Sequence, residues 1–370
     1  MSQRTIAFSR LFRMASLALL ATLATLAMLA WALPAQAKAE VAVPPLRLDV
    51  AALHAVMQPA GPRAQQPFTG IILVAQQGNL FWNFNPKAAP ITAQRQFVIG
   101  SQSKQITAAL ILQAVDQQRF TLSDALSKFI PEQRERYGDA ITIKHLLEHS
   151  SGLGQGGTTP AGAPGSTFAY SNAGYDLLGQ VLERVYGESF AAQAARLFRQ
   201  CEMTQSFAPS AEQLTSQAPL LVAGQTEQAG KLVAAPLDVS FSNNPSGRLI
   251  SSAGDLIRWQ QCLHQRSLLK PASYQQMTSP QMLRPHRWGA LGYGFGLQIN
   301  TSDGLTEYSH SGFVDGYVST TLYYPQSATG LVLLEPLSLD PTDIHRAFYY
   351  HDQVRAALRA QLIKTGTTSK

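Results

Sequence analysis

Phe97-Val98-Ile99-Gly100-Ser101-Gln102-Ser103-Lys104, continued by Gln105-Ile106-Thr107-Ala108-Ala109-Leu110-Ile111-Leu112-Gln113-Ala114-Val115, is the stretch on which the fold turns. It reads as an extended entry, a glycine at the turn, and a helix apolar around most of its circumference from Ile106 to Val115. Such a helix must be buried on nearly all sides. Ser101 and Lys104 are spaced i, i+3 and share a face of its first turn. A serine hydroxyl needs a base within hydrogen-bond reach to act as a nucleophile. Lys104 can be that base if burial and the positive end of the helix lower its pKa. Bringing a lysine from about 10.4 to about 7 takes roughly 4 to 5 kcal/mol, which buried sites achieve. A second Ser-x-x-Lys, Ser267-Leu268-Leu269-Lys270, runs straight into Pro271 and reads as a helix end.

Outward from this helix, Leu46 to Met57 fits a short helix, and Phe68 to Asn85 alternates around Gln76-Gln77-Gly78-Asn79 as a β-hairpin. Ile141 to His149 is predicted helical. A Gly/Pro/Ser/Thr-rich loop, residues 154–166, then delivers the chain to Tyr170, and a helix with Leu178, Leu182 and Val185 on one face stops at Gly187. Residues 208–245 read as mostly irregular, and 247–263 as a turn followed by a helix. Tyr293 to Ile299, Leu305 to His310, Tyr317 to Tyr324 and Leu331 to Leu334 read as strands, and Asp340-Pro341 as the cap of a last helix. Strands at both ends with helices between them predict an α+β fold. Its antiparallel sheet is assembled from both termini and flanked by helices, beside a mainly helical second lobe.

The basic, acid-free start with Arg4, Arg10 and Arg13, the uncharged run from Met14 to Leu33 and Ala35-Gln36-Ala37 predict a secretory signal over residues 1–37. The apolar run is also long enough to be an uncleaved anchor. Residues 38–63 then form a linker and short helix, 64–363 the folded domain and 364–370 a tail. The expected location is the periplasm or the extracellular space. Removing residues 1–37 removes three arginines and halves the formal charge of +6, and charged residues are only 14% of the chain, so nucleic acid is not an expected partner. Cys201 and Cys262, in a chain bound for an oxidising compartment, are either a disulfide or two buried thiols.

Two further motifs carry chemistry. Tyr170-Ser171-Asn172 offers a phenol for proton transfer and an amide to orient a substrate carbonyl; the plainer reading is an aromatic plug and a helix cap. His310-Ser311-Gly312 ends a predicted strand, where a small residue beside a glycine lets a substrate backbone lie close to the strand edge.

Together, Ser101-x-x-Lys104, Tyr170-x-Asn172 and His310-Ser311-Gly312 resemble the serine hydrolases of the class C β-lactamase and D-alanyl-D-alanine carboxypeptidase family. The resemblance extends to Ile141 through Leu153, Gly247 through Leu256 and Tyr293-Gly294-Phe295-Gly296, and so covers about residues 68–335. It implies that Ser101 is acylated, that Lys104 is its proton partner, and that Tyr170 is the general base and later acid. Asn172 would hold the substrate amide, and the backbone N–H groups of Ser101 and Phe313 would form an oxyanion hole. His310, Ser311 and Gly312 would line the substrate site, and no cofactor is implied. Most β-lactamases carry Lys-Thr-Gly as the third element. The literal Lys364-Thr365-Gly366 here lies in the predicted polar tail with no strand to present it. A histidine in that role is largely neutral near pH 7 and binds a carboxylate less strongly than lysine. The resemblance therefore favours a D,D-carboxypeptidase-like or D-amino-acid peptide hydrolase over a β-lactamase or carboxylesterase, with Arg284 or Arg287 as candidate carboxylate partners. Two other classes compete. His145-Leu146-Leu147-Glu148-His149 matches a zinc-binding pattern if both histidines share a helix face, and a non-catalytic penicillin-binding-like protein could keep the fold.

Overall fold

The computed structural model describes residues 45–86, 91–154, 162–210, 220–236 and 241–367. The predicted signal segment lies outside them. Among the described residues no helix is long and apolar enough to cross a membrane.

The main sheet has eight antiparallel strands: β1 (Ile71–Gln76), β2 (Asn79–Phe84), β7 (Met282–His286), β8 (Gly289–Tyr293), β9 (Gln298–Asn300), β10 (Glu307–Val314), β11 (Tyr317–Tyr324) and β12 (Thr329–Glu335), in the order β2-β1-β12-β11-β10-β9-β8-β7. The N-terminal hairpin thus joins the C-terminal strands through β1 and β12, with Ile71 opposite Leu334 and Gln76 opposite Thr329. Successive side chains of a strand point to opposite faces, and this sheet is covered on both. Ile71, Leu73, Val332 and Leu334 belong to the core beneath the Ser103–Asp116 helix. Ile72, Val74, Leu331 and Leu333 pack against Tyr350, Val354 and Leu358 of the C-terminal Tyr349–Thr367 helix.

Two small sheets stand apart: a pair, β3 (Gln96–Val98) with β6 (Ile250–Ser252), and a three-stranded sheet of β4 (Gln225–Gln228) with β5 (Lys231–Ala234) and β13 (Leu337–Ser338). Residues 208–245 therefore hold a hairpin, turned at Ala229 and Gly230, where an irregular segment was expected. Its strand Lys231–Ala234 is exposed throughout and lacks the alternation that marks a half-buried strand. The last helix also departs from expectation. Asp343 rather than Asp340 caps a four-residue turn, Ile344–Ala347, and the helix proper continues to Thr367. Lys364-Thr365-Gly366 is thus part of that helix and not a tail. The helical lobe is tied internally by a disulfide, Cys201–Cys262, between the end of the Phe190–Gln200 helix and the Ala253–Gln265 helix.

Candidate active site

The turn that carries Ser101 is clamped by its neighbours. Val98 ends β3, Gly100 adopts φ +58°, and residues 100–102 form one tight turn before the helix starts at Ser103. The Ile99 N–H donates to the Leu249 carbonyl (3.0 Å), Ser319 Oγ donates to the Ile99 carbonyl (2.7 Å), and Ser103 Oγ donates to the Gly100 carbonyl (2.7 Å). Glycines on both sides allow the contact with β10. A Cβ on Gly100 would lie 2.9 Å from Phe313 N, and one on Gly312 would lie 2.2 Å from the Ile99 carbonyl oxygen. The turn carrying Ser101 and the strand carrying His310-Ser311-Gly312 therefore touch backbone to backbone. The tripeptide lies within β10, which continues to Val314, rather than at a strand end.

Lys104 is fully buried. Its Nζ lies 2.6 Å from the Ser246 carbonyl, 2.7 Å from Asn172 Oδ1 and 3.2 Å from Ser101 Oγ. The first two partners can only accept. A neutral amine has two N–H donors to match them and would keep one lone pair for the proton of Ser101, the only neighbour of the three able to give one. Burial holds the lysine below its usual pKa; Tyr170 and Asp176 pull it back up, and Arg284 pushes it further down.

Ser171 caps the Asn172–Tyr186 helix by accepting from the Gly174 N–H, so Asn172 enters the site as its first residue. Tyr170 stands just outside, its ring 4.8 Å from Lys104 Nζ and 4.3 Å from the His149 ring. The Ile143–Leu147 helix ends before His149, which has φ +59°. His145 caps that helix by accepting from the Thr142 N–H, while His149 Nδ1 accepts from the Ser171 N–H (3.1 Å). The two histidines thus leave on different errands. The shared helix face that zinc binding required is not formed, and among the described residues no cluster of potential ligands could hold a metal.

These groups open onto a cleft of about 460 Å³ lined by Ser101, Tyr170, Asn172, Arg284, His310, Ser311 and Phe313. His310 Nδ1 donates to the Ser311 carbonyl (2.8 Å), so Nε2 is the nitrogen that accepts from the Tyr293 hydroxyl (3.1 Å). Burial, then Arg284 and Lys104, hold its pKa well below the ordinary histidine value, which favours the neutral imidazole with Nε2 as the acceptor. Of the two candidate arginines, Arg287 is neutralised by Asp352, at 2.9 and 3.1 Å from Nε, and reaches Ser311 Oγ at 3.3 Å. Arg284 lies among the rings of Phe168, Tyr170 and Tyr293, 5.1 Å from the centroid of Tyr170. Its buried Nη1 has no hydrogen-bond partner among the described residues.

Scattered over more than 200 positions, Ser101, Tyr170, Asn172, His310, Ser311 and Phe313 line one cleft, with Lys104 buried behind Ser101 and Gly312 packed on Ile99. Sequence reasoning overlooked three participants. The Ser246 carbonyl sits in a π-helical turn, Asn244–Arg248, of the kind that recurs at functional sites. Its only sequence signal was the neighbouring Gly247–Leu256 resemblance. His149 was weighed as a metal ligand and not as a support for Tyr170. Asp176 carried no motif; its place at i+4 from Asn172 was the available hint.

The sequence profile of the family described as Beta-lactamase matches residues 63–353. Protein flp of Staphylococcus aureus (strain NCTC 8325 / PS 47) is 25% identical over 308 residues, which are 72% of this chain and 59% of that protein, so the match spans well under two thirds of the relative's length. Among solved structures, the octameric penicillin-binding protein homologue from Pyrococcus abyssi superposes with a TM-score of 0.70 at 25% identity, over 82% of this chain and 76% of that one. D-alanine carboxypeptidase AmpC from Burkholderia cenocepacia superposes with a TM-score of 0.65 at 20% identity, over 84% and 100%, a likeness of fold.

Proposed function

Because the chain belongs to the Beta-lactamase family, we propose that it is a serine hydrolase that cleaves an amide through an acyl-enzyme on Ser101, its preferred substrate a peptide ending in a D-amino acid with a free carboxylate. The observation that carries this reading is the cleft's charge. Beside Ser101 stand a His310 whose pKa burial holds well below the ordinary value, an Arg287 already paired with Asp352, and an Arg284 that has no carboxylate partner among the described residues. A half-buried cation whose Nη1 has no hydrogen-bond partner among the described residues favours a ligand that brings the anion.

In the proposed reaction Lys104 takes the Ser101 proton as Oγ attacks the carbonyl carbon, and Tyr170, facing the new ammonium, relays a proton to the leaving amine. The backbone N–H groups of Ser101 and Phe313 receive the oxyanion, worth roughly 3 to 4 kcal/mol per donor. Water then releases the acid and regenerates Ser101. The D-alanine carboxypeptidase likeness agrees with this substrate class. The reading includes export, supported by the sequence of residues 1–37 and by the Cys201–Cys262 disulfide. Cell fractionation with an N-terminal mass of the mature chain checks that part.

The test is release of D-alanine from an N-acylated peptide ending in D-alanyl-D-alanine, beside Ser101→Ala. Release by the wild type alone is the expected result. Hydrolysis of a neutral ester without any D-alanine release would transfer the chain to the esterases.

A further inference from the structure

One carboxylate stands next to the reacting groups without a place in the reaction above. Asp176 lies one helical turn beyond Asn172, on the same face of the Asn172–Tyr186 helix. Asn172 Oδ1 is 2.7 Å from Lys104 Nζ. The Asp176 Oδ1 atom is buried with no hydrogen-bond partner among the described residues. Ser246 faces the same carboxyl with its hydroxyl and its backbone N–H, and presents its carbonyl to Lys104 at 2.6 Å. Lysine and carboxylate thus share one bridging residue, held in the π-helical turn of Asn244–Arg248.

We propose that Asp176 is a positioning residue of the hydrolytic reaction, the counter-charge for the ammonium that Lys104 becomes when it takes the proton of Ser101. The proposal rests on the reading of Ser101 and Lys104 as nucleophile and base. The balance is simple: one proton leaves Ser101 Oγ and binds Lys104 Nζ, the oxygen's electron pair forms the bond to carbon, and a cation appears in a dry site. The other groups facing Lys104 do not supply a matching anion. Tyr175, 5.5 Å away by its ring centroid, is kept protonated by burial. His149 and His310 are held neutral, also by burial, and Arg284 is a cation that opposes the new charge. Tyr170 raises the proton affinity of Lys104 more than Asp176 does, but it is a phenol that takes part in the proton transfer itself. Asp176 is left as the carboxylate of the site.

Burial raises the Asp176 pKa to about 6, against the pull of Ser246 and Lys104. The carboxylate is therefore charged above about pH 6, and it raises the affinity of Lys104 for a proton. Removing it has two opposite effects. More Lys104 is neutral at a given pH, so the acid limb of reactivity moves to lower pH; and the neutral lysine is a weaker base, so the alkaline plateau falls.

The experiment measures the rate at which an alkyl fluorophosphonate modifies Ser101, read by intact mass between pH 5 and 10, for the wild type, Asp176→Asn and Asp176→Glu. In parallel, the Lys104 signal is titrated by NMR in protein carrying lysine labelled with 13C at Cε, and assigned by its loss in Lys104→Met. The expected result for Asp176→Asn is a Lys104 midpoint and an acid limb both lower by about one pH unit, with a severalfold lower plateau. Asp176→Glu, which keeps the charge, stays near the wild type. A rate that falls equally at every pH, with the midpoint unmoved, reveals a structural role and overturns the proposal, as does an unchanged Asp176→Asn. If Ser101 is never modified in the wild type, the serine-hydrolase reading fails, while the lysine titration still decides whether Asp176 is the counter-charge.

Discussion

Gly312→Ala tests whether the touching backbones of the nucleophile turn and β10 are what hold Ser101 in place. The new Cβ would lie 2.2 Å from the Ile99 carbonyl oxygen and 2.5 Å from Ser319 Oγ, well under the 3.0 Å that real Cβ contacts respect. Ser319 can swing away only by giving up its 2.7 Å bond to the Ile99 carbonyl, a buried hydrogen bond worth about 1 kcal/mol. The Ile99 carbonyl can swing only by giving up that bond and the one it accepts from the Gln102 N–H at 3.4 Å. The strand and the turn must therefore separate by about 1 Å, and overpacking of this kind costs about 1 to 3 kcal/mol. The expected loss of stability is about 2 to 4 kcal/mol by urea denaturation. Because Ile99 is two residues from Ser101, the nucleophile shifts too, and a displacement of about 1 Å costs on the order of 100-fold in rate. Fluorophosphonate modification of Ser101 reads that second effect in protein that is still folded. A variant within about 0.5 kcal/mol of the wild type and equally reactive at Ser101 would refute the reasoning.

Lys104→Ala and Tyr170→Phe should each remove most acylation, by about 100-fold or more, with the far-UV circular dichroism spectrum retained; near-wild-type rates in either variant end the assigned roles. Arg284→Gln should raise KM at least tenfold for peptides with a free terminal carboxylate and leave the corresponding amides unchanged, so that equal effects on both would deny it the anion. Breaking the Cys201–Cys262 link, which spans 61 residues, by a double Cys→Ala substitution should cost about 4 kcal/mol on the chain-entropy account, measured by denaturation of the two proteins side by side. His264, stacked on Tyr323 and held by burial at a pKa of about 3, stays neutral in the fold while the unfolded chain takes up a proton below about pH 6.5. Its share of stability is thus intact above that pH and falls by about 1.4 kcal/mol per unit as the pH drops toward 3; His264→Phe should show a pH dependence shallower by one proton over that range.

The buried helix, the N-terminal hairpin and the last strands of a sheet built from both termini were legible because burial imprints a period on the chain: Ile106 to Val115 apolar nearly all round, Phe68 to Asn85 alternating about a turn. Tyr293 to Ile299, which reads as one strand, is instead the end of β8, a turn and the start of β9, and β7 carries no such signal. Elements that bury little left no such trace, which is why the exposed Lys231–Ala234 strand was read as irregular. The last helix was misplaced at both ends for a related reason. Asp340-Pro341 and Asp343 are equally good caps by residue type, and Lys364-Thr365-Gly366 continues a helix whose apolar face, ending at Leu362, already secures it.

For the site, residue types and their order along the chain were enough to nominate Ser101, Lys104, Tyr170, Asn172 and His310, because nucleophile, base and amide must each be a particular side chain. Charge state was beyond the sequence. Lys104 is held below its usual pKa by burial, beside the Asn172 and Ser246 oxygens, which match both hydrogens of a neutral amine. His310 is favoured as the neutral ring because it is buried beside Arg284 and Lys104. Arg284 and Arg287 look alike in sequence, yet Asp352 reaches only one of them. Which group a charge faces across 60 or more residues depends on how helices and sheet pack, and pairing and burial in that packing decide whether an ionisable side chain is a base, a neutral support or a free ion.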